Sequence, residues 1–312
     1  MPKTNNLKSY AKRVIDLTDI GIELGFYRNP CGNFSLIHLD NGNWLCHMRI
    51  FQYWIDGDRQ GYWTNDTMQL NEPDKHQFVI LDKDFNYVKK LENTISTYYA
   101  DPQFNEQKPY LEDGRLVRWD NGIYLSSAIF YQNHEKYERF GLEIQKIILN
   151  GENVEAEHLW NSCEEGVLGR QKNWMPIPDK PFKYIAETYE NGVVAMDIST
   201  GDMTQGGDLS GELYRGNTPL VETDFGYMTI THRLGMDERG RKVYMNYIVE
   251  YNKDLSVRRI SNPFKLSDYN IEFVTTLDRF PDGELAIGVT VMDDTPLVMI
   301  YDELEFKEIV NM

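Results

Sequence analysis

Residues 110 to 127 read YLEDGRLVRWDNGIYLSS, placing two adjacent carboxylates, Glu112 and Asp113, and a guanidinium, Arg115, directly before an apolar run. An ordinary loop with a surface ion pair is the plainest reading, and such a pair contributes little to stability. The chain holds further groups of the same kind. Arg49 sits inside the apolar run WLCHMRIF, where a guanidinium needs a buried partner or a ligand. Arginines and a lysine among carboxylates hold a phosphate, arginine through bidentate hydrogen bonds. Asn, Asp and Glu hydrogen-bond sugar hydroxyls, and Trp or Tyr rings pack on the apolar faces of a sugar. A carboxylic acid in a partly dehydrated channel keeps its proton near neutral pH and serves as a general acid.

Such distant residues act together only if the fold gathers them. The chain reads as short β-rich runs separated by Gly, Asn, Asp and Pro turns. One pattern, a polar cluster, a strand, an Asp/Gly turn and a second strand, occurs as RNPCGNFSLIHLDNGNWLCHMRI and EDGRLVRWDNGIYLSSAIF. It recurs as KNWMPIPDKPFKYIAETY, GNTPLVETDFGYMTITHR and IEFVTTLDRFPDGELAIGVTV. After each comes a strand, a short polar turn and another strand: FVILDKDFNYVKKLE, IQKIILNGENVEAEHL, VVAMDISTGDMTQ, IVEYNKDLSVRRIS and VMIYDELEFKEIV. Strict alternation predicts an all-β fold, a five-bladed β-propeller of four-stranded antiparallel blades starting near 28, 112, 172, 216 and 271. The unequal intervals exclude a fixed-period solenoid and suit blades with loop insertions. A β-sandwich is the structural alternative. Residues 28–312 form one domain in this reading, and residues 1–27 a cap or closing segment with NNLKSYAKRVIDL as the best helix candidate. GGDLSG, at 206 to 211, reads as a flexible loop between blades. An insertion, DGDRQGYWTNDTMQLNEP, offers Tyr62 and Trp63 to a binding face.

In a propeller the first strand of each blade lines the central channel, so the aligned clusters meet at one mouth. They are Asn29; Glu112, Asp113 and Arg115; Lys172 and Asn173; Arg215, Asn217 and Thr218; and Glu272. A second ring comes from the following strands: Arg49 and Tyr53, Glu187 and Tyr189, His232 and Arg233, Thr290 and Asp293. Convergent polar groups in one concavity are what a ligand site requires. Each also has a plainer reading. Asn29 before Pro30 shapes a turn; Lys172 and Asn173 are turn residues beside a core Trp174; a lone His232 is a structural histidine; Asp293 and Asp294 make a solvated turn. Glu272, between Ile271 and Phe273, alternates toward one face of a strand and reads as channel-facing.

The net charge of −17 speaks against general nucleic-acid binding, which needs a positive surface, but leaves room for a local basic pocket. No apolar stretch approaches the roughly 18 residues of a membrane helix, and the basic N-terminus lacks a secretory apolar core. Three cysteines at unrelated spacings, Cys31, Cys46 and Cys163, read as reduced thiols, which predicts a soluble, cytoplasmic protein. Nucleotide-loop and metalloprotease motifs are absent, and the six histidines show no metal-ligand spacing. No tightly held metal or cofactor is expected, although a magnesium ion could accompany a nucleotide diphosphate.

In order, NPCGNF, EDGRL, KNWMPI, RGNTPL and IEF resemble the motifs of five-bladed propellers of the β-mannoside phosphorylase class (glycoside hydrolase family 130) and of related glycosyltransferase-like proteins, across roughly residues 28 to 300. The resemblance implies an inverting transfer with Asp113 as general acid and Arg115 in the site that holds substrate or phosphate. The chain departs from the family pattern at Gly114, where proline is usual, at Gln171, where glutamate often precedes KNW, and in RGNTP, where RGG is commoner. In a phosphorylase inorganic phosphate attacks the anomeric carbon, so no second carboxylate is needed to activate water. Run in the other direction, a sugar phosphate or nucleotide-sugar is the donor and the arginines steady the leaving phosphate. An inverting glycosidase, with Glu187, Glu272 or Asp293 as the water-activating base, and a non-catalytic sugar-binding propeller remain alternatives. The sugar and the acceptor are open.

Overall fold

A computed structural model describes residues 5–24, 31–50, 53–56, 59–62, 75–93, 95, 110–132, 138–162 and 172–312. They are overwhelmingly β-strand and fall into two compact units, residues 1–17 with 173–312, and residues 18–172. Among the described residues no helix is long and apolar enough to cross a membrane.

The chain opens with β1 (Asn5–Asn6), a 3-10 turn at Lys8–Tyr10 and β2 (Arg13–Asp16). The helix expected here does not form. Arg13 to Asp16 pair antiparallel with Ile300 to Leu297 instead, and the β-branched Val14 and Ile15 suit that ladder better than a helix.

The unit 18–172 holds α1 (Thr18–Glu23), β3 (Cys31–His38), β4 (Trp44–Ile50), β5 (Tyr53–Asp56), β6 (Arg59–Tyr62), β7 (Lys75–Leu81), β8 (Tyr87–Asn93), β9 (Tyr110–Trp119), β10 (Gly122–Gln132), β11 (Glu138–Asn150) and β12 (Asn153–Asn161). Eight of these strands form one sheet in the order β3-β4-β7-β8-β12-β11-β10-β9, with β5 and β6 as a separate hairpin. The order resolves into two antiparallel four-stranded meanders. Their outer strands meet in parallel, Asn153 opposite Glu92 and Val154 opposite Asn93. The innermost strands, β3 and β9, are bridged where the Leu116 amide donates to Ser35 Oγ at 2.8 Å. Burial follows position. All seven residues of β4 are buried, whereas β12 alternates exposed and buried along NVEAE. Leu45, Phe78, Leu91, Leu116, Leu125 and Val154 belong to the apolar core of this unit.

The other unit continues with β13 (Met175–Pro176), β14 (Lys183–Asp197), β15 (Asp202–Gly216), β16 (Val221–Thr223), β17 (Gly226–Met236), β18 (Lys242–Asn252), β19 (Val257–Ile260), β20 (Phe264–Lys265), β21 (Glu272–Arg279), β22 (Glu284–Val291), β23 (Thr295–Asp302) and α2 (Glu303–Ile309). One sheet runs β1-β20-β18-β17-β15-β14-β13, with β16 on β17 and β19 on β18. A second is four-stranded, β2-β23-β22-β21. Two expectations change here. KYIAETY and VVAMD, read as separate strands, are one strand, β14, and the stretch from Gly206 to Gly211 lies inside β15 rather than in a loop. Glycine explains both. A Cβ on Gly192 would lie 2.6 Å from the Asp208 carbonyl oxygen, and one on Gly207 2.2 Å from that of Asn191. The two backbones approach closely across a register shift between Tyr189 and Asn191, so the polar stretch makes a bulge in a long hairpin rather than a turn.

Candidate active site

The site in residues 18–172 begins with two irregularities in backbone pairing. On β9, Arg115 lies opposite Ser126 and Glu112 opposite Ala128, so Asp113 and Gly114 together face the single residue Ser127. On β3, Gly32 lies opposite Arg49 and Ser35 opposite His47, so Asn33 and Phe34 share the interval facing Met48. Both are β-bulges, and in each the first residue is left-handed: φ is 44° at Asp113 and 42° at Asn33. Asp and Asn tolerate this conformation better than other side chains. The bulge decides what Asp113 can reach. A regular strand sends adjacent side chains to opposite faces, yet Glu112 and Asp113 share the same cations.

Arg49, from β4, bridges the pair, donating from Nη1 to Asp113 Oδ1 and from Nη2 to Glu112 Oε1, each at 3.2 Å. Lys172 Nζ donates to Glu112 Oε2 at 2.7 Å and stands 3.3 Å from Asp113 Oδ2. Asn33 Nδ2 donates to Asp113 Oδ1 at 2.7 Å, tying the two bulges together. Arg115 turns back on its own strand, its Nη1 donating to the Asp113 carbonyl oxygen at 3.0 Å. Arg49, Glu112, Asp113 and Arg115 are buried; the Lys172 side chain is one-third exposed and gives the cluster its contact with solvent.

Gly114 is explained by what packs on it. A Cβ there would lie 2.6 Å from His47 Cε1 and 3.0 Å from Leu125 Cδ1, so a side chain would have to displace the imidazole. His47 Nε2 meets His76 Nδ1 at 2.9 Å, and His76 Nε2 meets the Leu111 carbonyl oxygen at 3.1 Å. A carbonyl only accepts, so with both rings neutral His76 carries its proton on Nε2 and His47 donates from its own Nε2. Burial, then the neighbouring His76 and Arg49, hold His47 well below the usual imidazole range, so it brings no charge.

Burial opposes the Asp113 charge more than any other single influence. Lys172, Arg49 and Arg115, with the Asn33 hydrogen bond, together outweigh it and hold the carboxyl below its ordinary range. Burial likewise opposes the charge on Lys172, and Asp113 and Glu112 raise it above its usual value. In this arrangement Asp113 is ionised, whereas a general acid in a dehydrated channel is expected to hold its proton.

In the other unit three candidates, His232, Asn217 and Glu272, are linked through Asn246. His232 is hydrogen-bonded through Nδ1 to Asn217 Oδ1, Asn217 Nδ2 donates to Asn246 Oδ1 at 3.5 Å, and Asn246 Nδ2 to Glu272 Oε2 at 3.0 Å. Glu272 also accepts from the Leu266 amide at 2.8 Å and from the amide and hydroxyl of Ser267, each at 2.6 Å. It is fully buried, and burial pushes its carboxyl up despite those bonds. Sequence alternation predicts a channel-facing ligand group; both oxygens are instead committed to a turn. Arg233 follows His232 in a regular strand and belongs to the other face, paired with Glu212 and lying 5.7 Å from the Tyr214 ring centre. Arg215 is exposed and registers opposite His232. Asn173 is left-handed at φ 73°, and Asp293, at φ 52°, sits in the β22–β23 turn. Glu187 accepts from the Tyr189 hydroxyl at 2.8 Å in the open, and Thr290 is buried. Tyr53 heads β5. Asn29, Trp63, Cys163 and Gln171 lie outside the described residues.

Asn33, His47, His76 and Asn246 are the residues that sequence reasoning misses. Asn33 had a signal: aligned on Leu36, Leu116 and Leu220, the segments NFSL, DGRL and NTPL place Asn33, Asp113 and Asn217 at one position. Among the described residues no group of three or more His, Cys, Asp or Glu is arranged to hold a metal ion.

No protein-family model and no curated protein matches the sequence. Solved structures do share its fold. The β-1,2-mannobiose phosphorylase of Listeria innocua, in complex with β-1,2-mannobiose, matches at a TM-score of 0.55 and 12% identity, over 90% of this chain and 92% of the other. A mannose phosphorylase from Leishmania mexicana, in complex with phosphate ion, matches at 0.55 and 11%, over 88% and 84%. A GDP-Man-dependent mannosyltransferase from the same organism matches at 0.51 and 12%, over 94% and 90%. The all-β fold of this chain is that of the propeller class to which the β-mannoside phosphorylases of glycoside hydrolase family 130 belong.

Proposed function

We propose that the protein is an inverting glycosyl-transferring enzyme, a glycoside phosphorylase or glycosyltransferase, that moves a mannosyl group with the help of a phosphate-bearing partner. The carrying observation is the buried cluster itself: Asp113, re-aimed by a bulge, beside Glu112 and two cations that a phosphate would also seek, Arg49 and Lys172. Fold and ligand class support the same reading, since similar structures are named as phosphorylases and a mannosyltransferase, one with mannobiose and one with phosphate ion.

In this mechanism phosphate oxygen bonds to the anomeric carbon from one face as the glycosidic oxygen leaves from the other, and the Asp113 carboxyl supplies the leaving oxygen with its proton. The reverse reaction takes a sugar 1-phosphate as donor, releasing phosphate as the acceptor hydroxyl gives its proton to Asp113. A nucleotide-sugar donor would undergo the same displacement with a nucleoside diphosphate as the leaving group, which magnesium would accompany. Five four-stranded blades are part of the reading, supported by the two meanders of residues 18–172 and by the four-stranded sheet completed by β2. A cytoplasmic location is the further expectation, resting on three cysteines at unrelated spacings.

The test offers purified protein a manno-disaccharide with inorganic phosphate, and GDP-mannose with a mannoside acceptor, following the anomeric signals by NMR. Turnover with inversion is expected, and Asp113→Asn should lower kcat by at least about a hundredfold. Full activity in that variant, or retention of configuration, would remove Asp113 from the role.

A further inference from the structure

The ionised state of Asp113 poses a problem for a proton donor, and the charges around it suggest the answer. Two cations, Arg49 and Lys172, pair with two carboxylates, Glu112 and Asp113, and Arg115, on the Asp113 carbonyl oxygen, adds a third positive charge beside them. The set carries one net positive charge. A dianion such as phosphate reaching Lys172, the partly exposed member, would turn that excess into an equal deficit. It would also draw Lys172 and Arg49 away from the carboxylates they hold. Both changes favour the neutral form of a carboxyl.

We infer that anion binding at the Arg49–Lys172 cluster is coupled to the uptake of one proton by the Glu112–Asp113 pair, with Asp113 as its bearer. The inference rests on the phosphate-using reading above and adds to it the origin of the catalytic proton: the co-substrate loads the acid on which its own attack depends. The surroundings of Asp113 leave few other acceptors. Asn33 comes from β3; Arg49, and His47 across Gly114, come from β4; His76 lies behind His47 on β7; Glu112 and Arg115 share β9; Ser127 lies opposite on β10. Asn33 and Ser127 do not titrate, and Arg49 and Arg115 stay charged at any working pH. His47 donates to His76, which donates to a backbone carbonyl, so the nitrogen of this pair left to accept a proton is His47 Nδ1, which burial and the neighbouring His76 and Arg49 keep unprotonated.

Sulfate is the probe, because it carries two charges and, unlike phosphate, does not titrate near neutrality. Calorimetric titration near pH 6 in buffers of different ionisation heat counts the protons exchanged. About one proton taken up per sulfate is expected, with affinity falling about tenfold per unit rise in pH. In Asp113→Asn sulfate should bind without uptake and with little pH dependence, while Glu112→Gln should retain the uptake. Lys172→Met, at a partly exposed position, should lose sulfate binding while keeping the native circular dichroism. Sulfate bound without proton uptake, or uptake that survives in Asp113→Asn, overturns the coupling and leaves the phosphate reading in place. If neither sulfate nor phosphate binds, both fall together.

Discussion

Residue by residue, the candidate site is a case of backbone geometry doing what strand alternation forbids. Glu112 and Asp113 were legible as a pair, and Arg49 was legible because a guanidinium in an apolar strand demands a partner. Their meeting depends on the left-handed Asp113, which composition does not announce. The same alternation argues that His232 and Arg233, adjacent in a regular strand, divide between two faces, as they do. Gly114 carries the sharpest prediction at this scale. A Cβ there would press on the His47 imidazole, so Gly114→Ala should destabilise the fold by about 1–3 kcal/mol through overpacking. Combined with His47→Ala, the loss should be smaller than the sum of the two single effects by about 1 kcal/mol, measured by urea unfolding. Strict additivity would mean that the imidazole is not what excludes the side chain.

At the scale of the element, strands were more legible than their limits. Period-two patterns located most of them, but the polar stretches at Glu190–Gly192 and Gly206–Gly211 resembled turns because glycine serves equally for a turn and for close backbone approach. The strand β11 carries a feature that no sequence pattern marked. Glu143 is fully buried, accepting from Gln145 Nε2 at 2.6 Å and from Asn161 Nδ2 at 3.2 Å, with His158 Nδ1 3.6 Å away. Burial, only partly offset by those neighbours, pushes its carboxyl up to about 7 from an ordinary 4.5. A raised acid favours the folded state while protonated, so its contribution is complete below about pH 4.5 and fades as pH climbs through 7. Subtracting the Glu143→Gln urea-unfolding profile from that of the wild type should show about 3 kcal/mol lost across that window. Two parallel profiles would mean that Glu143 ionises as freely folded as unfolded. The difference is needed because His47, held low by burial, gains stability as pH rises toward the ordinary imidazole range and so opposes Glu143 in the wild-type profile. Asp113 titrates elsewhere. Its carboxyl is lowered, so its contribution disappears only under strong acid.

The whole molecule has its long-range architecture written into the site. The N-terminal strand β2 completes a sheet with β23, and β3 is bridged to β9 by Ser35 and Asn33. Repeat reasoning found the strand-rich copies but not these closures, since a pairing partner leaves no mark in the segment that accepts it. For Asp113 the separations are large: Asn33 is 80 positions away and Arg49 is 64. Contacts of that span cost more chain entropy than hairpins and tend to form late. During refolding, strand content should therefore recover ahead of the ability to bind sulfate, when far-UV ellipticity and anion binding are followed from the same jump out of urea. Simultaneous recovery would show that β3 and β9 meet at the outset. A delay would give the cell a chain with native strand content before it has an anion site, so that maturation time, rather than expression alone, sets the concentration of binding-competent protein.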